Sequence, residues 1–118
     1  MSRRHGIWLT LFVLALLVGC TNTKEAEKRA EVQKLQARAA YDRALSYLND
    51  KQPAGALASL QEAINVNPES ALYRDTLGVV LLELGRPDMA LDHFKKAVEL
   101  NPNHIDAARE LRILGGKR

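Results

Sequence analysis

Apolar positions in the C-terminal two thirds of the chain fall at helical spacings in four runs. Leu77, Val80, Leu81 and Leu84 stand at i, i+3, i+4 and i+7, and beyond Gly85-Arg86-Pro87 the series Ala90, Leu91, Phe94, Ala97 and Val98 repeats the pattern. Tyr41, Ala44, Leu45 and Leu48, followed by Ala56, Leu57, Leu60, Ala63 and Ile64, give the same pair of stripes earlier in the chain. The two pairs are related by a fixed displacement of 34 residues: Pro53 and Pro68 correspond to Pro87 and Pro102, Ala56 to Ala90, Leu57 to Leu91, Ala63 to Ala97 and Asn67 to Asn101. A constant period of that length predicts helical hairpins stacked as repeats, each burying the face its neighbour leaves open.

The punctuation agrees with this reading. Gly85 suits the left-handed residue that closes a helix, and Pro87 suits the first turn of the next, where its missing N–H is no loss. Asn67-Pro68 and Asn101-Pro102 end the second helix of each pair, because the residue before proline is driven out of the α region. After Pro102 the sequence predicts one more helix, capped by Asn103 with Asp106 three residues on and closed onto the core by Ile105, Ala108, Leu111 and Ile113 or Leu114. Lys24 to Gln36 is rich in Ala, Glu, Lys, Gln and Arg, so it is helical by propensity but offers little to bury. No segment reads as a strand.

The second unit resembles the tetratricopeptide repeat, whose signature W-x₂-L-G-x₂-Y, A-x₃-F, P is met by Leu77-Gly78, Ala90, Phe94, Ala97 and Pro102, with Arg74 in place of the Trp and Leu81 in place of the Tyr. The first unit follows with Ala44 for the Gly, Tyr47 for the Tyr, then Ala56, Leu60, Ala63 and Pro68. The resemblance covers Ala37 to His104. It implies an all-α fold of TPR-like helical hairpins, a short right-handed α-solenoid of about five helices.

Arg3 and Arg4 precede an uncharged run of 12 residues, Ile7 to Val18, that ends at Gly19-Cys20. A bilayer-spanning helix takes about 20 apolar residues, so a shorter run behind a positive start reads as an export signal. Leu17-Val18-Gly19-Cys20 resembles the bacterial lipobox. That resemblance implies cleavage before Cys20, lipidation of Cys20 and attachment to the cell envelope. Thr21 in the following position resembles the pattern sorted to the outer membrane, facing the periplasm. Cys20 is the only cysteine, so an intrachain disulfide is impossible. The expected divisions are a signal at 1–19, a lipidated N-terminus and solvated helical spacer at 20–36, repeats at 37–70 and 71–104, and a capping helix with tail at 105–118.

Removal of the signal would leave 99 residues, with 15 basic against 14 acidic side chains. That is one small domain, too short for the common cofactor-binding α/β enzymes. Near-neutral charge gives no footprint for nucleic acid, and Trp8 and Phe12 would leave with the signal, so no stacking platform is expected. His93 and His104 have no metal-ligand spacing and read as solvated surface residues. Without a phosphate loop or a nucleophile motif, the chain is expected not to be an enzyme and to need no cofactor or small-molecule substrate beyond the lipid on Cys20.

What remains is binding of a protein or peptide segment. The resemblance places the first helices of successive repeats along a groove, with Arg38, Tyr41, Leu45, Leu48 and Asn49 from the first repeat and Leu72, Asp75, Val79, Leu82 and Glu83 from the second. Four of these ten are leucine and one is valine, so an apolar or amphipathic segment is the expected ligand. The groove could instead be filled by a terminal helix. The order of signal, spacer and repeats is also similar to pilotin lipoproteins, which implies a pilus or secretin assembly role as an alternative. Self-association in the envelope is the other.

Overall fold

The computed structural model describes residues 2–116, excepting the side chains of 2–5 and 17–21. It contains α1 (Ser2–Asn49), α2 (Pro53–Val66), α3 (Ala71–Glu83), α4 (Pro87–Leu100) and α5 (Ile105–Gly115), and no strand among the described residues. The chain divides into two units, Met1–Val32 and Gln33–Arg118. In the first, Ile7, Trp8, Leu9, Leu11, Phe12, Val13, Leu14 and Leu16 are all exposed, as are residues 22–32. Among the described residues, no helix is long and apolar enough to cross a membrane.

In the second unit the end of α1 and α2 form one hairpin, α3 and α4 form the next, and α5 packs on α4. The core is a single cluster drawn from every helix: Ala37, Ala40 and Ala44 from α1, Ala56, Leu60 and Ala63 from α2, Leu77, Val80 and Leu81 from α3, Ala90, Phe94 and Ala97 from α4, and Ala107 from α5. Small residues recur because the helices cross closely. A Cβ on Gly78 would stand 2.6 Å from Cε1 of Phe94, and one on Gly55 would stand 2.6 Å from Cδ1 of Tyr47. The 34-residue counterparts of Gly78 and Phe94 are Ala44 and Leu60, both fully buried. Where one partner grows, the other shrinks, and the crossing keeps its density.

The turns inside both hairpins share one geometry. Gly85 has φ +72°, with Arg86 N donating to Leu81 O at 2.8 Å and Gly85 N to Leu82 O at 3.0 Å. Thirty-four residues earlier Lys51 has φ +58°, with Gln52 N donating to Tyr47 O at 2.8 Å and Lys51 N to Leu48 O at 3.1 Å. These paired bonds close a helix through a left-handed residue, and the first repeat does so without glycine. Pro53 and Pro87 start α2 and α4, Asn67 and Asn101 cap their ends, and the Ser70 hydroxyl accepts from Tyr73 N to cap α3.

The last helix departs from expectation in two respects. Its N-cap is His104, not Asn103, and no side chain caps it. Asn103 is instead held in the preceding turn, its N–H donating to Oδ1 of Asn101 at 3.1 Å. Ile105 and Ile113 are exposed, and α5 enters the core through Ala107, with Leu111 and Leu114 packed behind it. These three stand at i, i+4 and i+7, a face that the aliphatic pattern alone did not single out. Arg112 occupies the place of Ala44 and Gly78 one period on. A side chain of that size refuses the close crossing of another second helix, which suits α5 as a cap.

Candidate functional site

The first helices of the repeats lie side by side. Tyr41 of α1 stacks on Tyr73 of α3 with ring centroids 5.0 Å apart, and its hydroxyl lies 3.4 Å from Oγ1 of Thr76. Thr76 spends its own proton on the Leu72 carbonyl at 2.9 Å, so Tyr41 is the donor. Burial raises the pKa of Tyr73 above the usual phenol value. Between α3 and α5 the contact is polar: Nε2 of His104 donates to Oδ2 of Asp75 at 3.0 Å, with both side chains largely buried.

This arrangement sorts the ten residues expected on the face. Arg38, Leu45, Asn49, Leu72, Val79 and Glu83 are exposed, and Leu48 and Leu82 are half-buried. Tyr41 and Asp75 are covered, the first by Tyr73 and the second by His104. They brace the helices from beneath. His104 is therefore not the solvated residue expected from its turn position. Its partner lies 29 residues away, beyond the reach of any local pattern. His93 is also half-buried, with Nη1 of Arg74 lying 3.4 Å from its Nδ1. Arginine can only donate, so Nδ1 accepts and the ring is neutral. Burial, and then the Arg74 charge, hold the His93 pKa below its usual value.

Two buried atoms have no hydrogen-bond partner among the described residues: Oδ1 of Asp75 and Nε of Arg74. No group of three or more His, Cys, Asp or Glu side chains among the described residues is placed to hold a metal ion. The Cys20 side chain lies outside the described residues.

Two exposed ion pairs lie within single helices on this side of the molecule. Arg38 Nε lies 3.1 Å from Oδ1 of Asp42 on α1, and Arg109 Nη1 lies 3.3 Å from Oδ1 of Asp106 on α5. Exposed pairs of this kind contribute little to stability, about 0.5 kcal/mol or less.

Family models for the tetratricopeptide repeat match residues 33–70 and 76–104, together more than half of the chain. The chain is a tetratricopeptide repeat protein. No curated protein matches it significantly. Among solved structures, a crystal structure of MamA superposes with a TM-score of 0.66 at 26% identity, covering 70% of this chain and 48% of MamA. The chain thus spans about half of that relative's length. The second tetratricopeptide domain of Spaghetti (RPAP3), bound to the HSP90 peptide SRMEEVD, superposes with a TM-score of 0.68 at 18% identity, covering 74% of this chain and 82% of that one. Its first domain, bound to the same peptide, gives 0.65 at 23% identity, covering 69% and 64%. At these identities the likeness to Spaghetti is one of fold.

Of the two alternatives Ile113 and Leu114, it is Leu114 that packs against the core, and the tetratricopeptide period places Ile113 with two exposed residues. Leu45, Val79 and Ile113 are successive members of one 34-residue series, and all three are exposed, at 42%, 39% and 46%. The signal was available in the chain: the same displacement that links Leu45 to Val79 leads on to Ile113.

Proposed function

We propose that this chain is a lipid-anchored envelope protein that holds a protein segment against the face formed by its first helices. The observation that carries this reading is the exposed aliphatic surface of Leu45, Leu72 and Val79 in a small domain whose other large apolar side chains are mostly withdrawn into one core. Exposed aliphatic side chains grouped on neighbouring helices favour a partner that covers them. α5 does not cover them, since all three remain exposed in its presence. Binding works by shape and apolar contact, with no bond made or broken and no cofactor. The Spaghetti domains, which hold a peptide on this fold, support the use of the fold as a binding frame.

The anchor is the lipid on Cys20, following cleavage after Gly19, and the location is the outer membrane on its periplasmic side. The apolar, uncovered helix surface from Ile7 to Leu16 supports the reading of that segment as a signal core. One acyl chain holds a protein only marginally, at about 0.8 kcal/mol per buried CH₂, so the several chains of a bacterial lipoprotein are what make the tether stable.

The test has two arms. A clickable palmitate analogue fed to expressing bacteria should label the wild-type chain and leave Cys20→Ser unlabelled. Proteins captured from envelopes by the lipidated chain should be lost with Leu45→Glu/Val79→Glu and retained with Met89→Glu, Met89 being exposed on α4. Equal labelling of Cys20→Ser would sink the anchor, and equal capture by both charge variants would sink the face.

A further inference from the structure

We propose that the contact of Arg74 with His93 is a proton-operated latch between α3 and α4, which opens when His93 takes up a proton and turns Arg74 out to water. The fold itself does not ask for this pair. Thirty-four residues earlier the same two places hold Ala40 and Ser59, both buried, and one period beyond Arg74 stands Ala108. The second repeat therefore puts a guanidinium and an imidazole where two small side chains suffice. Nor is the pair well satisfied. Nη1 of Arg74 lies 3.4 Å from Nδ1 of His93, while its Nε is buried with no hydrogen-bond partner among the described residues. The lone pair on Nδ1 is thus the one side-chain acceptor that holds this guanidinium among the described residues.

A proton on Nδ1 changes the contact twice over. It occupies the lone pair, because an imidazolium donates from both ring nitrogens, and it sets a second positive charge beside a guanidinium that never loses its own. The charged groups acting on His93 are Arg74 from α3, which opposes the proton, and Asp92 from α4 itself, which favours it; burial opposes it most of all. Neither α2 nor α5 adds a charge that acts on it among the described residues. Arg74 is half-buried, so rotation about its side-chain bonds brings its head to water. The opening is local. One turn further along α3, Gly78 stays pressed against Phe94. Asp75 stays held as well, since His104 offers an N–H at Nε2 both in its neutral donating form and as a cation. Acid therefore frees the start of α3 from α4 and leaves α5 in place, whatever the first-helix face binds.

The experiment is hydrogen–deuterium exchange of the full chain in non-ionic detergent, read by mass spectrometry at pH 7.5 and 5.5 and corrected for the intrinsic exchange rate. Protection at the start of α3 should fall several-fold at pH 5.5. About tenfold is the ceiling, because an opened ring with the ordinary pKa of about 6.5 binds a proton about ten to one at that pH. Peptides from α2 and α5 should not respond. His93→Gln, which keeps an acceptor and does not titrate, should remove the response, and so should Arg74→Ala/His93→Ser, which copies the pair of the first repeat. Long-range proton–nitrogen NMR of the unmodified chain should place the His93 proton on Nε2 at pH 7.5. A loss of protection equal in α2 and α3, or one that persists in His93→Gln, would overturn the latch. Protection of α3 indifferent to pH in the unmodified chain, or a His93 proton found on Nδ1 at pH 7.5, would overturn it too.

Discussion

The crossing of α3 and α4 at Gly78 allows a demanding test of how the repeats are held together. A methyl group placed on Gly78 would stand 2.6, 2.7 and 2.9 Å from three carbons of the Phe94 ring, whereas ordinary contacts begin near 3.4 Å. Phe94 is fully buried and has no room to swing away. Overpacking of a closed core costs about 1–3 kcal/mol, and three simultaneous short contacts put this site in the upper half of that range. Alanine in a helix interior returns about 1 kcal/mol relative to glycine, so Gly78→Ala alone should lose about 1–2 kcal/mol. Phe94→Leu alone should lose about 1 kcal/mol through reduced packing. Together they recreate the Ala44 and Leu60 pair of the first repeat, where both side chains are fully buried. The methyl then has space and keeps its helical advantage, so the double variant should be more stable than either single one. Urea unfolding followed by circular dichroism at 222 nm, analysed as a double-mutant cycle, should give a favourable coupling of about 2–3 kcal/mol, the overpacking that Phe94→Leu relieves. Strict additivity would refute the claim that Gly78 is small because Phe94 is large.

Three further outcomes follow from the same geometry. Lys51→Gly should stabilise the chain by about 0.5–1 kcal/mol and Gly85→Lys destabilise it by about 1 kcal/mol, because both positions hold positive φ and only glycine adopts it freely; urea midpoints that move in opposite directions would be the sign. His104→Ala strips Asp75 of its one hydrogen-bond partner among the described residues and should cost about 1.5–3 kcal/mol, with faster amide exchange in α5, whereas His104→Gln, which keeps an N–H donor, should recover much of it. His93 has a folded-state pKa below its unfolded value of about 6.5, so above that pH both states are neutral and it contributes no pH dependence. As pH falls through 6.5 the unfolded chain takes up a proton that the folded chain resists, and stability declines down to the folded pKa. Between pH 7.5 and 5.5 the urea midpoint should therefore fall less in His93→Gln than in the unmodified chain.

Much of the fold was legible because the repeats announce themselves locally. The apolar stripes of α2, α3 and α4, the prolines that open α2 and α4, and Gly85 at its turn are all consequences of backbone physics acting within a few residues. The left-handed residue in the first repeat was hidden, since Lys51 carries no hint of positive φ except its displacement of 34 from Gly85. The orientation of α5 was legible only in part, through Leu111 and Leu114, for a different reason. Its buried contact is Ala107, a residue too small to mark a face, while Ile105 and Ile113 drew attention to a side that stays in water. The candidate face was legible in outline, from the family register, but not in depth. That Tyr41 and Asp75 lie beneath it depends on Tyr73 and His104, which meet them only in three dimensions.

Cross-linking in place tests the central claim most directly. A photo-reactive amino acid is introduced at Val79 on the first-helix face, or at Met89 on α4, in the lipidated chain, and intact envelopes are irradiated. The account predicts discrete adducts from position 79 that disappear when Leu45 is changed to Glu, and none from position 89. Matching adducts from both positions, or adducts from 89 alone, would contradict it.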